Sequence, residues 1–267
     1  MSYETTSIDG AKGKIAVHRW TPDGDVRGLV LLAHGIGEHA KRYDHVAAHL
    51  NADGFVVIGP DHYGHGLSDG EPGLIEDIEV LVTDFGTVAD AAKAEFPGIP
   101  VVVLGHSMGG IITTRAMQRG LTPADAWVLS GPVVGGNPGI FALLELDPIP
   151  PVPIDPGMLS RDPAVGEAYG SDPLVYHGPL VRPTLQTLKD VVGVIASADP
   201  IGGIPTLYLH GEEDPLAPYE ISKAAVEGLG LTNLEEQSYP GARHEIFNET
   251  NKEEVLADVS AFLKKTL

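Results

Sequence analysis

The chain has 267 residues, of which 17 are Lys or Arg and 37 are Asp or Glu, so its formal net charge is −20. This acidic balance argues against a nucleic-acid partner and against electrostatic docking on anionic lipid, because both need clustered basic side chains. No cysteine is present, which excludes a fold built on disulfides.

The N-terminal sequence has neither the basic region nor the apolar region of a secretion signal. No stretch reaches the roughly 18 consecutive apolar residues that a membrane-spanning helix needs. We therefore expect a soluble, cytoplasmic protein whose contact with a membrane, if it has one, is peripheral and apolar.

Short segments along the chain predict the strands of one sheet. The first two, 3–9 and 14–20, flank a turn between glycines and are expected to form an N-terminal hairpin. Most of the others are near-continuous apolar runs, which are typical of strands buried on both faces of a parallel sheet. These later strands are expected at 28–35, 55–61, 101–107, 126–132, 205–211 and 234–240.

Helical stretches lie between the strands. The last of them repeats apolar residues such as Val255, Val259 and Phe262 along one helical face. The alternation of strands and helices predicts an α/β fold, with a mostly parallel eight-stranded sheet and helices on both of its faces. The helices are expected at 42–53, 78–95, 108–119, 219–229 and 252–266.

A proline-rich segment at 133–199 interrupts this alternation and is too long for an ordinary connection. Ligands of α/β sheets bind beyond the carboxyl ends of the strands, where such an insertion would lie. We therefore expect a cap over the site; the alternative is an excursion that only covers a sheet end. The expected organisation is one structural domain, in which a core formed by 1–132 and 200–267 carries the cap at 133–199.

The stretch Gly105-His106-Ser107-Met108-Gly109 fits the pattern G-x-S-x-G between a predicted strand and a predicted helix. A serine on such a sharp turn projects its hydroxyl away from the sheet, and the crowded turn leaves room only for glycine two residues to either side. The alternative is a chance match, because the chain contains 33 glycines. The flanking elements favour Ser107 as a nucleophile.

A serine nucleophile needs a base, and the base needs a carboxylate that orients it. On this type of fold the chain order is nucleophile, acid, histidine. Of the 11 histidines only His244 follows the acidic stretch after the strand at 205–211. Within that stretch we expect Asp214, which opens a turn, to be the acid, and Glu212 and Glu213 to be solvated.

The loop after the strand at 28–35 is expected to complete an oxyanion hole. Its Gly-Ile-Gly sequence can turn tightly and present the N–H of Ile36, and the N–H of Met108 is the expected second donor. A plain glycine turn is the alternative. Several histidines lie close together in the first quarter of the chain, but such glycine-broken loops more often hold histidines that bind the backbone, so we expect neither a metal nor a cofactor.

Together these motifs resemble those of the monoacylglycerol lipase branch of the α/β-hydrolase superfamily, of the bacterial type and also labelled lysophospholipase-like. The resemblance covers nearly the whole chain, and its pattern HGxGEHxxRY is far more specific than the serine motif alone. The motifs that carry it are HGIGEHAKRY (34–43), PDHYGHGLSDG (60–70), GHSMGG (105–110), LSGP (129–132), SRDPAVGEAYGSDPLVYHG (160–178) and HGEEDP (210–215).

The resemblance implies an α/β-hydrolase fold with Ser107, Asp214 and His244 as the triad and Ile36 and Met108 as the oxyanion donors. It further implies that Glu38 and Arg42 lie near the polar, glycerol end of the pocket. One departure is Tyr63, which stands where the family commonly has arginine.

The implied activity is hydrolysis of monoacylglycerols to fatty acid and glycerol through an acyl-enzyme. The alternatives are a broader carboxylesterase or lysophospholipase, an acyltransferase or thioesterase, and a non-catalytic ligand-binding member of the fold. The segment 139–146 is expected to form an apolar lip, with Phe141, Leu143 and Leu144 contacting the substrate and lipid aggregates.

Overall fold

A computed structural model of the protein describes residues 1–122 and 124–267. Eight strands of these residues form one sheet in the order β1-β2-β4-β3-β5-β6-β7-β8. The pairs β1·β2 and β2·β4 are antiparallel and the other pairs are parallel, which confirms the predicted hairpin and the mostly parallel sheet. The strands are β1 (Ser2–Asp9), β2 (Lys14–Thr21), β3 (Gly28–Ala33), β4 (Phe55–Pro60), β5 (Val101–His106), β6 (Ala126–Ser130), β7 (Thr206–Gly211) and β8 (Leu234–Tyr239).

Helices cover both faces of the sheet, as the strand–helix alternation predicts. Successive residues of β3 show why: Leu29 and Leu31 pack in one apolar cluster with α2, α3 and α6, and Val30 and Leu32 pack in another with α1 and α8. A strand buried on both faces has no polar side to present to water, which explains its unbroken apolar sequence. The helices of the described residues are α1 (Asp44–Ala52), α2 (Ile78–Glu95), α3 (Met108–Gln118), α4 (Pro138–Phe141), α5 (Pro163–Ser171), α6 (Arg182–Ser197), α7 (Tyr219–Glu227) and α8 (Lys252–Thr266).

The segment 133–199 contains α4, α5 and α6, which the sequence pattern did not predict. Leu188, Val191 and Ile195 of α6 join the same apolar cluster as the sheet and α3. The hydroxyl of Thr184 also accepts a hydrogen bond from the backbone N–H of Ile75 at 2.9 Å. The C-terminal part of this segment is therefore packed on the core.

Apolar side chains remain exposed on the same segment. Leu146, Val152 and Met158 are the large hydrophobic residues of 133–158 with the highest exposure. In the described part of the chain no helix is both long enough and apolar enough to cross a membrane.

Candidate active site

The site is built around a sharp turn between β5 and α3. Ser107 sits on this turn with φ 56° and ψ −120°, a left-handed conformation that is strained for any residue but glycine. A Cβ on Gly105 would lie 2.5 Å from the carbonyl oxygen of Gly109, and a Cβ on Gly109 would overlap the carbonyl group of Ala33. The crowding leaves space only for glycine at both positions, for the reason inferred from the sequence.

Three side chains from distant parts of the chain meet at this turn. The Ser107 hydroxyl lies 2.8 Å from Nε2 of His244, and Nδ1 of His244 lies 2.7 Å from Oδ2 of Asp214. Asp214 follows β7 and His244 follows β8, so both come from the carboxyl-terminal edge of the sheet. All three side chains are buried.

The charges of this arrangement favour a base beside Ser107. Burial acts to lower the pKa of His244, but the charge and hydrogen bond of Asp214 outweigh it and raise that pKa above its ordinary value of 6.5. Burial also opposes ionisation of Asp214, yet His244 and His210 hold its pKa well below the usual range. With Nδ1–H of His244 donating to the ionised Asp214, Nε2 is free to accept the Ser107 proton.

A second histidine, His210, also contacts the carboxylate of Asp214. Nε2 of His210 lies 2.7 Å from the carbonyl oxygen of Ala217 and 3.1 Å from Oδ2 of Asp214, so its N–H donates towards both. Nδ1 of His210 then accepts the hydroxyl proton of Tyr208 at 2.7 Å. The backbone N–H of Ala217 donates to Oδ1 of Asp214 at 2.9 Å, which fixes the other oxygen.

The glycine turn after β3 faces the same serine. Ile36 and Met108 both line the cavity beside Ser107. Met108 is the first residue of α3, where backbone N–H groups lack a partner within the helix. Gly37 adopts φ 75°, and its carbonyl oxygen accepts the N–H of Tyr176 at 2.7 Å. The segment 133–199 thus contacts this turn through Tyr176.

A charged network lies at one side of the serine. Oε1 of Glu38 accepts the N–H of Gly35 and the hydroxyl of Tyr43, each at 2.7 Å. Arg42 donates to Oε2 of Glu38 at 2.7 Å and, with both terminal nitrogens, to Glu245 at 2.6 and 2.8 Å. Glu245 is a member of this network that the sequence reasoning missed, although it directly follows His244.

Comparisons with known proteins agree with this geometry. The family model described as "Serine aminopeptidase, S33" matches residues 24–251. The "Monoacylglycerol lipase" of Mycolicibacterium smegmatis is 38% identical, over 96% of this chain and 95% of the relative. The chain belongs to the monoacylglycerol lipase family of α/β-hydrolases. The "Monoglyceride lipase" of Homo sapiens is 32% identical over 86% of this chain and 79% of the relative.

Solved structures of monoacylglycerol lipases have the same fold as this chain. The crystal structure of Paleococcus ferrophilus monoacylglycerol lipase superposes with a TM-score of 0.80 at 26% identity, and covers 95% of this chain and 99% of that one. A soluble variant of Saccharomyces cerevisiae monoglyceride lipase, in complex with a substrate analog, superposes with a TM-score of 0.84 and covers 100% of this chain and 96% of that one. At 23% identity, this similarity shows the fold alone.

The cavity of this monoacylglycerol lipase family member is mainly apolar. It encloses about 750 Å³, including the part open to solvent, a size suited to a small ligand. Among the residues that the structure describes, Phe141 lines this cavity, whereas Leu143, Leu144 and Arg42 do not. Leu144 is buried within the segment 133–199. The apolar lining is formed by Ile36, Met108, Ile111, Val133, Ile140, Phe141, Ile154, Leu159, Leu180, Leu188 and Leu216.

Three of the clustered histidines, His34, His45 and His65, bind backbone groups, whereas His39 contacts the carboxylate of Asp172. Nδ1 of His34 lies 2.7 Å from the carbonyl oxygen of Gly35, and its Nε2 accepts the N–H of His62 at 3.0 Å. Burial lowers the pKa of His34 to about 3, so the ring is neutral. In the part of the chain that the structure describes, no group of three or more His, Asp or Glu side chains is arranged to hold a metal ion.

Proposed function

We propose that the protein hydrolyses monoacylglycerols to fatty acid and glycerol, with Ser107, His244 and Asp214 as the catalytic residues. The observation that carries this proposal is the hydrogen-bonded chain from Ser107 through His244 to Asp214, which opens onto an apolar cavity. The 38% identity to a protein named monoacylglycerol lipase supports the choice of substrate.

In the acylation step His244 takes the Ser107 proton through Nε2 while the serine oxygen attacks the ester carbonyl carbon. The backbone N–H groups of Ile36 and Met108 stabilise the negative charge that develops on the carbonyl oxygen. Asp214 stabilises the imidazolium. His244 then gives its proton to the glycerol oxygen as the ester C–O bond breaks, and leaves the acyl group on Ser107.

In the deacylation step water enters the site that glycerol has left. His244 removes a proton from this water as the water oxygen attacks the acyl carbon, and it returns that proton to the Ser107 oxygen as the bond between this oxygen and the acyl carbon breaks. The fatty acid leaves with one oxygen from the ester carbonyl and one from the water, and the protein returns to its starting state. No cofactor is needed for either step.

The segment 133–199 acts as the cap in this proposal. It supplies Phe141, Ile154 and Leu159 to the cavity wall, where an acyl chain would lie. Leu146 and Val152 are exposed on the same segment and make an apolar surface for lipid aggregates. A protein with a net charge of −20 gains little from charge attraction to anionic lipid, so contact with an aggregate relies on such apolar side chains.

The test is to measure hydrolysis of a series from octanoylglycerol to stearoylglycerol beside di- and triacylglycerols, lysophosphatidylcholine and short soluble esters. A preference for monoacylglycerols that Ser107→Ala abolishes is the expected result. Activity restricted to short esters would leave the mechanism intact and assign the protein as a broader carboxylesterase. Full activity in Ser107→Ala would overturn the proposal.

A further inference from the structure

His210 contacts the catalytic acid but takes no part in the reaction steps described above. It is the last residue but one of β7, and Asp214 follows it four residues later in the chain. Both side chains are fully buried. His210 is outside the described lining of the cavity, so any effect that it has on the reaction must act through its neighbours.

The hydrogen-bond partners of His210 determine which ring nitrogen carries the proton. Nε2 faces two acceptors, the carbonyl oxygen of Ala217 at 2.7 Å and Oδ2 of Asp214 at 3.1 Å. Neither has a proton to give, because a carbonyl only accepts and the pKa of Asp214 lies well below its usual range. Nε2 therefore carries the proton. Burial raises the pKa of Tyr208, so its hydroxyl is protonated and donates to Nδ1 at 2.7 Å.

This one N–H group supports Asp214 in two ways. Leu216 and Ala217 donate their backbone N–H groups to Oδ1 of Asp214 at 2.8 and 2.9 Å. Because His210 holds the carbonyl group of Ala217, it fixes the turn whose N–H groups orient Oδ1. Its contact with Oδ2 is made at the same oxygen that accepts the Nδ1–H of His244 at 2.7 Å. The two histidines therefore share the charge of one carboxylate oxygen.

This shared oxygen affects how firmly the catalytic base holds a proton. Burial acts to lower the pKa of His244, but the charge and hydrogen bond of Asp214 outweigh it. A carboxylate oxygen that accepts a second N–H is a weaker acceptor for the first, because part of its charge is already compensated. The N–H of His210 thus opposes the rise in the pKa of His244. A lower pKa leaves more of the imidazole free to activate Ser107 near neutral pH.

Other titratable side chains face the two rings, but none of them depends on the N–H of His210. Burial lowers the pKa of His106 to about 4, so this ring, 4.8 Å from that of His244, is neutral. The hydrogen bond that Tyr219 donates to Glu236 raises the pKa of Tyr219, so its hydroxyl is neutral as well. The charged groups around the rings include the carboxylates of Asp214, Glu38, Glu245 and Glu236, the guanidinium of Arg42 and the ammonium of Lys223.

We propose that His210 is a positioning residue of the reaction, which fixes the turn that carries Asp214 and compensates part of the charge on Oδ2, so that His244 binds its proton less firmly than Asp214 alone would make it. This inference rests on the proposed function only for the roles of Ser107, His244 and Asp214. It holds for any ester that the protein hydrolyses.

The experiment measures kcat/KM on a short soluble ester between about pH 4 and 10. His210→Leu removes the N–H, and the midpoint on the acid side should rise by about half a pH unit. Well below the midpoint, kcat/KM should then fall about threefold relative to its plateau. KM on the plateau should stay at the wild-type value, because His210 is outside the described lining of the cavity. His210→Gln keeps an amide N–H near the position of Nε2 and should restore the wild-type midpoint.

Tyr208→Phe is the matched control. It removes a buried hydrogen bond from the same ring, but Nε2 keeps its proton because Ala217 and Asp214 both accept it. The variant loosens the same part of the core without changing the charge on Oδ2, so the midpoint should stay at the wild-type value. NMR of the ring nitrogens of the wild-type protein, with His210→Gln to identify the signals, should show a proton on Nε2 of His210 and none on Nδ1.

A proton on Nδ1 of His210 would overturn the inference, and this result depends neither on activity nor on the folding of His210→Leu. An unchanged or lower midpoint in His210→Leu would also overturn it, because a turn that is merely loosened moves Asp214 away from His244 and lowers the pKa of His244. An equal rise in Tyr208→Phe, or a failure of His210→Gln to restore the midpoint, would do the same. If the wild-type protein hydrolyses no ester at all, the proposed function fails, and the role of His210 in the reaction fails with it.

Discussion

Asp214 and His244 form a buried ion-pair contact in which Oδ2 lies 2.7 Å from Nδ1. The negative charge of Asp214 raises the pKa of His244 above 6.5 in spite of burial, while the pKa of Asp214 itself is lowered. The pair therefore keeps a charged carboxylate at every pH where the imidazole titrates, and the imidazole alone sets the acid side of the activity profile.

The first prediction concerns this profile. A base must be unprotonated to act, so kcat/KM should fall as the pH drops through the pKa of His244, with a midpoint above 6.5. Asp214→Asn should lower kcat about 10⁴-fold, because the imidazole loses both the partner that fixes its tautomer and the negative charge that stabilises its protonated form. In the residual activity the midpoint should move to lower pH. Profiles of kcat/KM between about pH 4 and 10 check this, and a wild-type midpoint below 6.5 would contradict it.

The second prediction uses the strain at Ser107. Its φ of 56° costs about 1–3 kcal/mol in a residue with a Cβ and little in glycine, whereas the greater freedom of glycine in the unfolded chain costs up to about 1 kcal/mol. Ser107→Gly should therefore be about 1 kcal/mol more stable than Ser107→Ala, a difference of about 2 °C in Tm.

Both Ser107 variants should lack hydrolytic activity, so the comparison separates stability from chemistry. Thermal unfolding of the two proteins, followed by circular dichroism under identical conditions, measures the difference. An alanine variant as stable as the glycine variant would mean that the surrounding structure relaxes the turn.

Much of the fold follows from local patterns in the sequence. Residues buried on both faces of a parallel sheet must be apolar without interruption, so strands such as β3 and β5 are evident from their amino-acid sequence. The turn at Ser107 is predictable for a similar reason, since crowding at Gly105 and Gly109 leaves a fixed spacing of glycines. Chain order then limits the acid and the base to few positions.

The remaining features depend on contacts between distant segments, which a single sequence does not reveal. Arg42 and Glu245 are 203 positions apart, and neither has a local pattern that predicts the other. His210 likewise has the same surroundings in sequence as any histidine at a strand end. The apolar character of Leu143 and Leu144 predicts that they belong to the lip, yet both lie outside the cavity lining that the structure describes. Hydrophobicity alone does not determine which way a side chain points.

The last prediction concerns the exposed apolar residues of the cap. Leu146 and Val152 are 47% and 53% exposed, and their replacement by serine removes apolar surface that faces solvent. Activity of the double variant on aggregated long-chain monoacylglycerol should fall several-fold, because binding to the lipid surface loses about 0.8 kcal/mol for each buried CH₂ group removed. Activity on a short soluble ester should remain at the wild-type level, because neither residue belongs to the described lining of the cavity.

Leu267→Ser is the matched control for this experiment, since Leu267 is 44% exposed and lies after α8 rather than on the cap. It removes a comparable apolar side chain, so its activity on the aggregated substrate should equal that of the wild-type protein. Binding of each variant to vesicles of zwitterionic lipid, measured by co-sedimentation, should follow the same order as the activity on aggregates. Parallel losses on aggregated and soluble esters would show that the cap residues act on the folded site, and the proposed lipid contact would then be wrong.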